Sequence, residues 1–215
     1  MDLLKLIAFC GLVLSAVSAN AEWPVSDAAL SKCLTEIAAK KGWATPGEFT
    51  EVKCHSRKIK SLQGLEAFVE LTKLSLYRNS IRDIPDQLLL ALPKLEALNL
   101  ANNKLSNLKI IDSLSLKKLY VFKSSLVYLT VENCPALNLI KANNNMINRF
   151  EVTGAPAMSK LFLHNNKLEV LDMKSLPALR YLDARHNPMP DAFYDQLDAI
   201  KGLTALHDGN TEDWD

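Results

Sequence analysis

The sequence is poor in residues that break or bend a chain, and its 7 Gly and 9 Pro in 215 residues exclude collagen-like and low-complexity classes. Charge of one sign is also scarce, since 25 Lys and Arg stand against 24 Asp and Glu. The chain is therefore neither a polyelectrolyte nor intrinsically disordered. Long apolar runs are missing after residue 17, which excludes bilayer-spanning helices from the rest of the chain. What is present is a 48% hydrophobic content, enough to bury a substantial core.

The first residues read as an export signal. Met1 to Lys5 carries one Lys, Leu6 to Val17 is an almost unbroken apolar stretch, and Ala19-Asn20-Ala21 offers a small-x-small cleavage site. Cys10 does not make this a lipoprotein signal, because the bulky Phe9 precedes it where a small residue is needed. Cleavage would leave 194 residues starting at Glu22, with no membrane insertion afterwards and a secreted or periplasmic destination.

Removing Cys10 leaves Cys33, Cys54 and Cys134. Leu30, Cys33, Leu34 and Ile37 recur at helical spacing between an N-cap at Ser26 or Asp27 and a stop at Gly42, placing Cys33 on an apolar stripe. Cys54 falls at an inward position of the first strand, described next. Both sulfurs then face one core, and a Cys33–Cys54 bridge would add about 3 kcal/mol in the chain-entropy picture. Cys134 reads as a buried free thiol.

From Phe49 onward the chain repeats the pattern LxxLxLxxN. First positions fall at Phe49, Leu71, Leu95, Leu116, Leu137, Met158, Leu179 and Leu203, spaced by 21 to 24 residues. Positions four and six are apolar throughout, with Asp208 the single exception, and position eleven is equally apolar. Blocks such as "LTKLSLYRNSI", "LEALNLANNKL" and "MSKLFLHNNKL" resemble the leucine-rich repeat family over residues 49 to 211. The later units resemble its bacterial 21-residue, internalin-like class, which implies a second short strand on the convex arc at segments such as "LEVLDM". The unit containing "IRDIPDQLLLALPKL" is longer, which implies a helical or irregular convex side. The resemblance implies an α/β solenoid with a curved parallel sheet on its concave face. The 21-residue units and the lack of any N-x-Ser/Thr sequon favour a bacterial source.

Strand side chains alternate, so positions four and six point inward while three, five, seven and eight line the concave face. Position nine holds Asn79, Asn103, Asn145, Asn166 and Asn187, a ladder that can satisfy backbone groups in the turn. Arg57 and Ser124 interrupt it, and Ser124 predicts an irregularity after the fourth concave strand. Repeat ends need covers. This gives a signal at 1–21, an N-terminal helical cap at 22–48 with Trp23 and Trp43, repeats at 49–189, and a C-terminal cap with the last strand and an acidic tail at 190–215. A helix from Pro190 to Lys201 would pack Phe193, Leu197 and Ile200 beneath the last strand.

The concave positions carry eight basic residues, Lys53, Lys73, Arg78, Lys118, Lys123, Lys141, Lys160 and Arg185, against Glu51 and Asp183. Tyr77, Tyr120, Phe122, Phe162 and Tyr181 are interleaved with them. Such a surface would steer acidic partners and anchor them on rings. The candidate partner-binding set is Tyr77, Arg78, Tyr120, Phe122, Lys141, Phe162, His164, Tyr181 and Arg185.

Catalytic readings find little support. Asp183 and His207 occupy position five on adjacent strands and could pair, but the next position five is Phe162, so no nucleophile stands where a triad needs one. His164, His186 and His207 are too far apart or in different columns for a metal site. No nucleic-acid motif or strongly basic balance points to nucleic acid, and no cofactor is implied. The sequence thus predicts an exported, non-enzymatic, monomeric module that binds a protein partner of acidic character, the alternative being an acidic glycan or other polyanion.

Overall fold

The computed structural model describes residues 22–209. The expected export signal at 1–21 and the expected acidic tail from 210 lie outside the described residues. The chain winds in successive coils, each adding one three-residue strand to a parallel eight-stranded sheet: β1 (Glu51–Lys53), β2 (Lys73–Ser75), β3 (Ala97–Asn99), β5 (Lys118–Tyr120), β7 (Leu139–Lys141), β9 (Lys160–Phe162), β10 (Tyr181–Asp183) and β11 (Thr204–Leu206). Three five-residue strands, β4 (Asn107–Ile111), β6 (Tyr128–Glu132) and β8 (Arg149–Thr153), form a second parallel sheet on the convex side.

The core follows from alternation. Val52, Leu74, Leu98, Leu119, Ile140, Leu161 and Leu182 lie side by side in the concave sheet and are fully buried. Leu108 and Ile110, Leu129 and Val131, and Phe150 and Val152 meet them from the convex strands. Burial of a side chain of this size stabilises by about 1.5–3 kcal/mol, repeated in every coil.

The asparagine ladder holds the turns. Asn79 Nδ2 donates to the carbonyls of Cys54 (2.7 Å) and Leu76 (2.8 Å), while its Oδ1 accepts from the amides of Arg57 (2.9 Å) and Ile59 (3.1 Å). Asn103, Asn145, Asn166 and Asn187 repeat this pattern. In each case one residue bridges two consecutive coils. The two interruptions share a backbone signature. Position eight is left-handed in every coil from Ser56 to His186, but only after Arg57 and Ser124 is position ten left-handed too, at Lys58 (φ 65°) and Ser125 (φ 63°). Ser124 Oγ contacts the Leu100 carbonyl at 3.2 Å, where an asparagine would reach further.

The N-terminal helix α1 (Ala28–Lys41) starts at Asp27, whose carboxylate accepts from the amides of Ala29 and Leu30, and ends at Gly42 with φ 72°. Its Cys33 bonds to Cys54, with Cα atoms 5.9 Å apart. Arg57 leaves the ladder to grip Glu36 of α1 through two hydrogen bonds, at 3.1 and 2.6 Å. Trp23, Phe49 and Phe68 stack edge to face and seal the first coil, with Trp43 against Phe49 at 4.8 Å.

The longer unit does carry a helical turn, α2 (Leu88–Ala91). Three sequence expectations need correction. The "LEVLDM" segment forms no convex strand; its Asp172 caps a 3-10 turn over Met173–Ser175, which ends that sheet at β8. The C-terminal helix α3 spans Asp191–Asp198, burying Phe193, Tyr194 and Leu197, whereas Ile200 lies beyond it and is exposed. The last repeat is shifted by one residue: Ala205, not Leu206, pairs with Leu182, and Leu206 pairs with Asp183. His207 therefore takes the inward position assigned to Asp208, stacking on Tyr194 at 4.7 Å and reaching Asp198 at 3.1 Å. The apparent polar exception in the column disappears with the shift.

Candidate binding surface on the concave sheet

Columns three, five, seven and eight of the concave sheet bring most of the predicted set to one surface. Tyr120, Lys141 and Phe162 are consecutive in column five, on β5, β7 and β9. The Lys141 ammonium lies 4.9 Å from the Phe162 ring centroid, and Phe162 packs on Tyr181 at 4.9 Å. A second cluster forms in column seven, where Tyr77 meets Phe122 at 6.4 Å across Ala101 of the intervening coil, and His55 meets Tyr77 at 5.9 Å. All five aromatic residues are half-buried, so they present ring faces or edges without belonging to the core.

The set is thus two clusters, not one. Arg78 is exposed at the rim, with φ 58°. His55 was not among the predicted residues, although its column-seven position made it visible in the register; its Nε2 lies 2.7 Å from Ser75 Oγ.

Charge on this face is mostly unpaired. Lys53 is bridged to Glu51 (2.9 Å) and Arg185 to Asp183 (2.8 Å). Lys73, Arg78, Lys118, Lys123, Lys141 and Lys160 have no acidic partner within 4 Å among the described residues. The register shift moves Asp208 to this face, where it sits 3.4 Å from His186.

Asp183 is the one column-five side chain that is buried, at 2% exposure. Arg185 clamps it with two hydrogen bonds, Nε to Oδ1 at 2.9 Å and a terminal nitrogen to Oδ2 at 2.8 Å, and His164 Nδ1 lies 2.9 Å from the same Oδ2. Burial alone would raise its pKa. The Arg185 hydrogen bonds and the charges of His164 and Arg185 outweigh that and hold the carboxyl below its ordinary value. Arg185 is consequently fixed to this carboxylate and is less available to a ligand than Lys141, Phe162 and Tyr181 beside it, whereas His164 Nδ1, although close, makes no hydrogen bond among the described residues. The pairing of Asp183 with His207 that a shared column would allow does not form, since His207 faces inward against Tyr194 and Asp198.

Cys134 is fully buried, and burial raises its thiol pKa, which suits an inert core residue. Among the described residues no group of three or more His, Cys, Asp or Glu is arranged to hold a metal ion, and no helix is long and apolar enough to cross a membrane.

Coil geometry, the asparagine ladder and the paired sheets define a leucine-rich repeat solenoid. The profile of the family described as leucine rich repeat matches residues 69–126. No curated protein matches the sequence. Among solved structures, internalin C2 from Listeria monocytogenes is similar with a TM-score of 0.55 at 17% identity, over 88% of this chain and 96% of that one. The leucine-rich repeat domain of APL1B is similar with a TM-score of 0.51 at 20% identity, over 73% of this chain and 56% of that one. The fold is what these likenesses establish.

Proposed function

We propose that the protein is an exported binding module that recognises an acidic protein partner through its concave sheet, without chemistry of its own. The observation that carries this reading is the juxtaposition of six unpaired cations with two half-buried aromatic clusters on one face. Half-buried rings lose little entropy on docking and make good anchors, while the surrounding cations steer an acidic partner at long range. The Cys33–Cys54 bridge supports residence in an oxidising compartment, in keeping with secretion or a periplasmic location.

A second reading, an acidic glycan or other polyanion, draws on the same cations and on Asn99, Asn143, Asn144 and Asn165 among them. Pull-down from envelope and host fractions supplies the ligand, and variants decide its mode. Tyr120→Ala and Phe162→Ala each weaken a protein partner by more than about 1 kcal/mol, with little change in melting temperature. Lys174→Ala, on the convex side, serves as control and leaves binding intact. Lys118→Ala mainly slows association. Steep weakening with salt and indifference to the aromatic variants would select the polyanion. Loss of binding in the convex variant alone would sink the concave-face reading.

A further inference from the structure

The convex sheet stops at β4 with an open edge. In a parallel ladder alternate residues bond to a given neighbour. Asp112 donates to the Glu132 carbonyl (3.1 Å) and Asn133 to that of Thr153 (3.1 Å), so Leu108, Ile110 and Asp112 are the residues that bond to β6. Asn107, Lys109 and Ile111 point their amides and carbonyls the other way. Among the described residues those groups have no hydrogen-bond partner.

The preceding coil supplies no strand there. Its longer unit runs as the Asp83–Gln87 loop and the short helix α2, standing off β4 to leave a groove of about 530 Å3. Ile84, Leu89 and Leu108 line it apolarly, while Asp83, Asp86 and Asp112 supply its charge against Lys109 alone. No basic side chain among the described residues is bridged to any of these carboxylates. Leu90 (60% exposed) and Ile111 (38% exposed) flank the opening.

We propose that the β4 edge is a strand-addition site for an extended polypeptide segment in which apolar residues alternate with Lys or Arg. Such a segment satisfies the free backbone groups, places one side-chain set against Ile84 and Leu89, and brings cations to the aspartates. A second copy of this chain docking edge to edge would instead set the three aspartates of each copy against one another. This site is opposite in charge to the concave face, so the two surfaces select different ligands.

The probe is a fluorescein-labelled peptide alternating valine and lysine, titrated by anisotropy onto the exported form of the protein. Saturable binding is expected, with amide hydrogen exchange slowed at Lys109 and Ile111. N-methylation of alternate peptide amides should weaken it by at least about tenfold, as should Lys109→Pro, a substitution tolerated at an edge whose N–H faces outward. Asp83→Lys with Asp86→Lys, two exposed changes that leave the core alone, should weaken it similarly, whereas Phe162→Ala should not. Absent binding, equal binding of a valine–glutamate peptide, or binding indifferent to N-methylation would each overturn the proposal.

Discussion

Asp183 shows how a single residue can satisfy a repeat and depart from it together. Column five is otherwise solvent-facing, yet this carboxylate is sunk beneath Arg185 and beside His164. Its folded pKa is depressed, so the stability it contributes is complete above its unfolded value, about pH 4, and is lost as the pH falls through the lower folded value. Arg185→Ala removes the clamp and raises the folded pKa. Carboxyl-carbon NMR should then show Asp183 titrating at higher pH, and acid unfolding should begin at higher pH than in the parent. An unchanged titration would mean that His164 or backbone polarity, not Arg185, holds the charge. The sequence could place Asp183 in its column but could not show its burial, because that depends on how its neighbours' long side chains fold over it. Tyr120, Lys141 and Phe162 were legible for the opposite reason: strand alternation alone puts them on the face.

At the scale of the element, strands and turns were readable where local spacing decides them and obscure where it does not. Inward columns, the helix carrying Cys33 and the asparagine ladder follow from periodicity. The shifted last strand did not, since Leu203 and Leu206 offer the same apolar spacing and only pairing with β10 selects Ala205. The "LEVLDM" segment also lacks local information to choose between strand and 3-10 turn. The ladder interruptions carry a testable cost. Ser125 is exposed and left-handed, a conformation that a side chain adopts at about 1–2 kcal/mol. Ser125→Gly should therefore stabilise by about 0.5–1 kcal/mol, whereas Lys104→Gly, at the same position of a coil with its asparagine, should destabilise by a similar amount. Chemical denaturation measures both. The same sign at both sites would show that the missing asparagine does not set the turn.

For the whole molecule, a solenoid's stability is a sum over neighbouring coils, so opening begins at whichever end is held less firmly. The N-terminal end has three mutually packed rings, the Arg57–Glu36 clamp and the Cys33–Cys54 bridge, whose 21-residue separation is worth about 3 kcal/mol. The C-terminal end has an eight-residue helix, a half-buried last strand and the Tyr194–His207 stack. Native-state hydrogen exchange should accordingly show α3, β10 and β11 opening first, with β5 to β9 slowest. Reduction of the bridge should then accelerate exchange in α1 and β1 by up to about a hundredfold, the equivalent of that energy, and leave α3 unchanged. The middle coils gain no new route to solvent, because each still has a neighbour on both sides. Should α1 exchange at the same rate with and without reductant, the aromatic seal of Trp23, Phe49 and Phe68 would be sufficient by itself to hold the end, and the bridge would add little to the native solenoid's stability.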